Sequence, residues 1–339
     1  MVEELTTVQT VKNKLIYKEG FMSKIYKIEN NKLLSTKTFI IYSDIHYYKN
    51  MNLNYLYKEL SKLTTDSPNY ILLLGDLIDD PNISSKELPP LRDYLLKLSK
   101  ITKIITILGN HDILTNYKNI SNENSKYLNM LRNIPNLHLL ENTSYQDNQI
   151  YFYGTKYQGT YYKHKEPLPI WLSTVKNITF PDDTLNIILE HSPNNIFNPH
   201  TFTSIPSLKK TDIVFSGHNH FGCIPSYLDP IIPGNIGLIG ASNNLFPKYS
   251  RGKIQITPNT TGIICPPITT FSNEKGIFKL ANIFYPPQNI KLKILRKKKS
   301  QINYSHYFNG FFFTKAKTSA KINYISHKIT KIGHILFTR

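Results

Sequence analysis

Five short runs dominated by Ile, Leu, Val, Phe and Tyr constrain the fold of this chain most: TFIIYSDIH (38–46), YILLLGDLID (70–79), IITILGNHD (104–112), LNIILEHSP (185–193) and DIVFSGHNH (212–220). Apolar runs without polar alternation mark strands covered on both faces, as in the parallel sheets of α/β proteins. Between the first three, leucines recur at helical spacing: Leu53, Leu56, Leu60 and Leu63, then Leu91, Leu95 and Leu98 behind a Ser84/Ser85 cap. Tyr127, Leu128 and Leu131 mark a third helix. The resulting β-α-β alternation predicts a parallel sheet. Upstream, KLIYKE and SKIYKIE flank Gly20 and predict an antiparallel hairpin. Downstream of His220, the Gly- and Pro-punctuated runs IGLIGA, KIQIT and TGIICPPITTFS suit a second sheet. The stretch from Tyr153 to Pro181, which holds the lone Trp171, reads as an irregular insertion over the surface.

Each of the five runs ends in groups that bind metals. In open α/β sheets ligands bind beyond the carboxyl ends of the strands, and here those ends carry Asp44 and His46, Asp76 and Asp79, Asn110 and His111, His191, and His218 with His220. Taken singly, each has an ordinary structural reading: a capped turn, a solvated acidic loop, a β-turn. Five strand ends loaded with oxygen and imidazole donors, with glycine before Asp76, Asn110 and His218, are not explained that way. A mixed N/O donor set without thiolate suits Mn, Fe or Zn and differs from a structural zinc knot. It is too large for one ion and fits two divalent ions sharing one carboxylate, the arrangement that clamps an in-line displacement at phosphorus.

The order D-x-H, G-D-x-x-D, G-N-H-D, H and G-H-x-H resembles the calcineurin-like metallophosphoesterase superfamily, from about Thr38 to His220. LFPKYSRG and PPITTFS are similar to the closing segments of its bacterial single-domain members. The resemblance implies a four-layer α/β/β/α sandwich of two mixed sheets flanked by helices, with the metals at the strand carboxyl ends. It also implies that Asp44, His46 and His220 hold one metal, that Asn110, His191 and His218 hold the other, and that Asp76 bridges them. His111 would be the general acid and Asp79 its orienting partner. The implied activity is hydrolysis of a phosphomonoester or phosphodiester by a hydroxide bridging the two ions, Mn foremost. Asp80 and Asp112 replace the arginine and glutamate of the family's protein serine/threonine phosphatases, which argues against a phosphoprotein substrate.

Of the formal net charge of +18, most belongs to the end of the chain. Residues 291–339 hold 12 Lys or Arg and no acid, leaving 29 basic against 23 acidic residues before them. This predicts three parts: an N-terminal extension (1–37), the metallophosphoesterase domain (38–278) and a basic, aromatic-rich extension (279–339). The tail composition suits an anionic membrane surface or, in second place, nucleic acid. Two alternatives to a small phosphate-ester substrate follow, a nuclease and a metal-stabilised scaffold that binds through the tail. The first residues contain no apolar signal segment, no run is long enough to span a membrane, and two cysteines fit a reducing compartment. The expectation is a cytoplasmic protein, peripheral at the inner face of the membrane.

Overall fold

The computed structural model describes residues 22–113, 122–157, 168–225, 227–229, 231–232, 234–240, 245–269, 285 and 287–297. The strands are β1 (Met22–Asn30), β2 (Lys37–Tyr42), β3 (Tyr70–Leu73), β4 (Lys103–Thr106), β5 (Leu137–Leu139), β6 (Thr143–Asp147), β7 (Ile150–Gly154), β8 (Leu185–Leu189), β9 (Ile213–Ser216), β10 (Gly252–Thr257), β11 (Thr260–Ile264) and β12 (Gln288–Arg296). The helices are α1 (Asn54–Asp66), α2 (Pro89–Ser99), α3 (Asn122–Arg132), α4 (Leu168–Val175), α5 (Pro193–Ile196) and α6 (Pro199–Thr203). Two six-stranded mixed sheets result, ordered β1-β12-β2-β3-β4-β5 and β10-β11-β9-β8-β7-β6.

The continuous apolar runs are explained by what covers each face. Phe39 and Ile41 of β2, with Leu72 and Leu74 in and just after β3, point between the sheets. There they meet Phe152, Ile187, Leu189, Ile213 and Phe215 of the second sheet. Ile40, Tyr42, Ile71 and Leu73 point the other way, onto Leu56 and Leu63 of α1, Leu91, Leu95 and Leu98 of α2, and Tyr127 and Leu131 of α3. On the far side, Ile188 of β8 and Val214 of β9 pack with Trp171, Val175, Ile196 and Phe202 of α4, α5 and α6. This is the expected helix, sheet, sheet, helix layering. The five runs divide between the sheets, three in the first and two in the second, with their carboxyl ends converging on one edge of the sandwich.

Helix ends follow local rules. Prolines open α2, α5 and α6, where a missing N–H leaves no bond unmade, and the Asn198 side chain accepts from His200 N at 3.1 Å to cap α6. Ser84 caps a single 3₁₀ turn at Ser85–Glu87, so α2 begins later than the expected Ser84/Ser85 cap.

Two sequence expectations change, and a third falls on residues outside the described ones. The region from Tyr153 to Pro181 is no surface insertion where described: Trp171 on α4 is 1% exposed, and its indole donates to Glu190 Oε2 at 3.0 Å. Burial pushes the Glu190 carboxyl up to about 7, so it takes up a proton readily. The antiparallel partner expected for β1, residues 14–19, lies outside the described residues; the described partner is β12, which pairs with β1 in parallel. Both strands fall outside the 38–278 boundaries, yet β12 sits between β1 and β2. Its alternation buries Ile290, Leu292 and Ile294 completely and turns Lys291 and Lys293 outward. The basic character that suggested a tail at 279 is therefore, up to residue 297, the outer face of a core strand. The rest of the tail lies outside the described residues.

Each of those three side chains contributes roughly 1.5–3 kcal/mol of burial. A chain ending after Lys298 should keep a cooperative thermal transition near that of the full protein. One ending before Gln288 should lose it, which circular dichroism melting will read; equal melting of both truncations would contradict the placement of β12.

Candidate metal centre

The backbone at the converging strand ends is bent in an unusual way. Asp44, His46, Asp76, His218 and His220 all have positive φ, at 53°, 49°, 52°, 67° and 44°. Non-glycine residues seldom adopt this conformation, and it persists only where surrounding structure enforces it. Enforcement comes from neighbouring loops: Asp44 N donates to Gly75 O (3.1 Å), His46 N to Asp76 O (2.9 Å) and Gly217 N to His191 O (3.0 Å). The glycines before the donors serve closeness. A Cβ on Gly109 would overlap Asp76 Oδ1, and one on Gly217 would overlap Ser43 Oγ and Asp44 Oδ2. Gly217 is thus required by a close approach of two loops and not by a left-handed backbone.

Besides a cluster of His46, Asp79 and His111, the side chains form two donor groups. In the first, His46 Nε2 lies 3.2 Å from His220 Nε2, and Asp44 Oδ1 lies 3.9 Å from the former and 3.6 Å from the latter. In the second, His191 Nε2 lies 3.2 Å from His218 Nδ1, 3.1 Å from Asn110 Oδ1 and 3.1 Å from Asp76 Oδ2. Asp76 Oδ2 also faces His46 Nε2 at 3.9 Å, so one oxygen looks into both groups. It is buried and accepts no hydrogen bond among the described residues, while Oδ1 accepts from His111 N at 2.7 Å. Donors that share a cation at a bond length of about 2.1 Å lie roughly 3.0–3.5 Å apart, which matches most of these spacings. The residues present therefore fit divalent cations.

A second layer of contacts aims the donors. His191 Nδ1 donates to Leu74 O at 2.7 Å, which leaves Nε2 with its lone pair for the centre. His46 Nδ1 faces Asp79 Oδ1 at 3.3 Å, a charge contact on the ring nitrogen opposite Nε2. Ser43 Oγ donates to Asp44 Oδ2, and His218 N approaches both oxygens of Asp44 at 3.3 and 3.2 Å. Burial disfavours a charged His191, but Asp76 outweighs it and lifts the imidazole to about 10. Burial likewise opposes ionised Asp76, and the surrounding imidazoles, His191 first, hold it well below the usual carboxylate range. The site is built to stabilise positive charge at its centre.

His111 stands apart from both groups. Its side chain is 28% exposed, and Nδ1 donates to the main-chain carbonyl of Asp79 at 2.7 Å. The orienting role expected of Asp79 is thus divided: its carbonyl holds His111, while its carboxylate lies closer to His46 (3.3 Å) than to His111 (3.7 Å).

One residue that organises the site was read from the sequence only as a substitution. Asp112, fully buried, accepts from Leu77 N (2.9 Å), Ile78 N (3.2 Å) and Tyr127 Oη (2.7 Å) through Oδ1, and from Gly109 N (2.8 Å) through Oδ2. It ties the loop after β3 to the loop after β4 and to α3, behind Asp76 and Asn110. Burial, then the charge of Asp76, push its carboxyl up to about 6.

A profile of the calcineurin-like phosphoesterase family matches residues 37–222, more than half of the chain. The chain belongs to that family of metal-using phosphoester hydrolases. An uncharacterized metallophosphoesterase from Campylobacter jejuni is 28% identical over 193 residues, which cover 55% of this chain and 44% of that protein; the match thus spans less than half of the relative's length. A dimetal phosphatase from Danio rerio is similar over 69% of this chain and 88% of its own at 10% identity, with a TM-score of 0.36. Another solved structure is similar over 68% and 91% at 10% identity, with a TM-score of 0.37. No helix among the described residues is long and apolar enough to cross a membrane, and Cys223 and Cys265 are both free thiols.

Asp112→Asn should expose the knot's role. An amide nitrogen must face either Gly109 N–H or the Leu77 and Ile78 N–H groups, at a loss of about 1–3 kcal/mol. Differential scanning calorimetry should show a midpoint lowered by several degrees, roughly 2–4 °C per kcal/mol. An unchanged midpoint would mean the network contributes nothing.

Proposed function

We propose that the protein hydrolyses a phosphomonoester or phosphodiester at this centre. The observation that carries the reading is the sharing of Asp76 Oδ2 between two donor groups, with His111 beside them and outside both. Asp44, His46, Asp76 and His220 would hold one divalent ion, and Asp76, Asn110, His191 and His218 a second, with Mn²⁺ best suited to the mixed N/O set. When bound, such ions polarise the phosphoryl oxygens and provide a hydroxide nucleophile at neutral pH.

The chain's own residues do the rest. His111 keeps its Nδ1–H on the Asp79 carbonyl, so the imidazolium offers Nε2–H to the oxygen that leaves phosphorus. The Asp79 carboxylate, 3.7 Å from Nδ1, stabilises the charge of that form. The hydrogen bond from His111 N to Asp76 Oδ1 fixes the acid's distance from the carboxylate at the heart of the site. Asp80, in the position of the arginine of the family's phosphoprotein phosphatases, is exposed and accepts from Asn82 N at 2.8 Å, a turn contact that supplies no cation for a phosphoprotein.

The test separates acid from ligand. His111→Ala should keep the metal content of the wild type, read by elemental analysis, and lose about 10²–10⁴ in kcat on an alkyl phosphate ester with Mn²⁺ present. On a nitrophenyl ester, whose leaving group needs little protonation, the defect should shrink. An equal defect on both, or loss of metal, would remove His111 from the role of acid.

A further inference from the structure

We propose that the described residues 227–229, 231–232, 234–240 and 245–249, which follow the metal centre in the chain, form a docking surface for an anionic lipid membrane. Of the nine large apolar side chains exposed among the described residues, six fall within it: Tyr227, Ile231, Ile236, Ile239, Leu245 and Phe246. Ile231, Leu245 and Phe246 are 72%, 70% and 65% exposed. Single exposed apolar residues are ordinary on protein surfaces, but their concentration in one short segment marks an interaction site.

Described residues of this stretch are tied to the turn that carries His220. Leu238 N and Ile239 N both donate to Gly222 O, at 2.8 and 3.1 Å, two residues beyond His220. Gly237 packs so closely on Gly222 that neither could carry a Cβ. Asn219 Nδ2 donates to Tyr249 O at 3.1 Å, and Arg251 binds the carbonyls of Asp229 and Ile232 and the Asp229 carboxylate. An antiparallel bridge between Ile239 and Leu245 puts those two side chains on one face of the ribbon. The apolar groups therefore lie on a stretch bonded to the turn of His220, whose side chain is 20% exposed.

Charge selects the occupant. Between residues 224 and 253 the only acid is Asp229, which is paired with Lys24 and Arg251, whereas Lys248 and Lys253 are exposed. Exposed aliphatic and aromatic residues flanked by unpaired lysines match the interfacial region of an anionic bilayer, where apolar side chains enter the acyl boundary and lysines meet phosphate headgroups. A second copy of this chain would place those lysines against another net-basic surface. The inference concerns binding and stands whether or not the proposed hydrolysis is correct.

The full-length protein should cosediment with phosphatidylcholine vesicles containing phosphatidylglycerol and much less with phosphatidylcholine alone. The variant Ile231→Ser/Leu245→Ser/Phe246→Ser should bind the anionic vesicles at least about tenfold more weakly, with an unchanged thermal midpoint and unchanged metal content. Both proteins carry the basic tail, so equal binding by the two would assign the membrane contact to the tail and overturn the proposal. So would an absence of vesicle binding together with wild-type self-association that the variant loses. As a second measurement that needs no loss of apolar surface, Phe246→Trp should be quenched by brominated lipid in anionic vesicles; unaltered fluorescence would also overturn it.

Discussion

The arrangement depends on a buried negative charge placed where it can only be satisfied from one direction. Asp76 Oδ2 has no hydrogen-bond donor within the described residues and lies 3.1 Å from His191 Nε2. At an effective dielectric of about 20, a unit positive charge at that distance is worth roughly 5 kcal/mol. That exceeds the strain of a single left-handed non-glycine residue, on the order of 1–3 kcal/mol, but not the strain of five together. Contacts between the loops must therefore contribute to holding the centre. The interlocking backbone bonds at Asp44, His46 and Gly217 and the Asp112 knot supply that hold.

The same constraint shapes function and surface. Strands covered on both faces bring five loops to one edge with little freedom, so donors from two sheets meet within bonding distance of common points. His111 is held by a carbonyl, as His191 is, but unlike that buried donor its side chain stays 28% exposed. Proton transfer needs that access, whereas cation binding needs the burial of Asp44, His46, Asp76, His191 and His218. The exposed apolar residues beyond His220 follow the same turn, since Leu238 N and Ile239 N both donate to Gly222 O.

Much of this was legible in the chain. The apolar runs fixed strand identity, because burial on both faces leaves no alternation, and the residues of the D-x-H to G-H-x-H order lie together among the described residues. What escaped had physical reasons. In β12 the lysines at 291 and 293 alternate with Ile290, Leu292 and Ile294, and charge at the head of a basic tail outweighed a three-residue strand signal. Trp171 lies among residues without clear periodicity, and the partner of its indole N–H, Glu190, stands just after β8, distant in sequence. Asp112 was visible only as a replacement for glutamate. Its shorter side chain reaches backbone N–H groups of two loops whose adjacency no local spacing reveals. The division of Asp79 between His46 and His111 is likewise a matter of tenths of an ångström in three dimensions.

The central claim is that one carboxylate serves two cation sites. Elemental analysis of the full-length protein after loading with Mn²⁺ and gel filtration, set beside Asp76→Asn, tests it most directly. The account predicts about two ions per chain for the wild type and near-complete loss of both in the variant, because each site loses the same charged oxygen. A wild type that never exceeds one ion, or a variant that sheds one ion and keeps the other at full affinity, would contradict it.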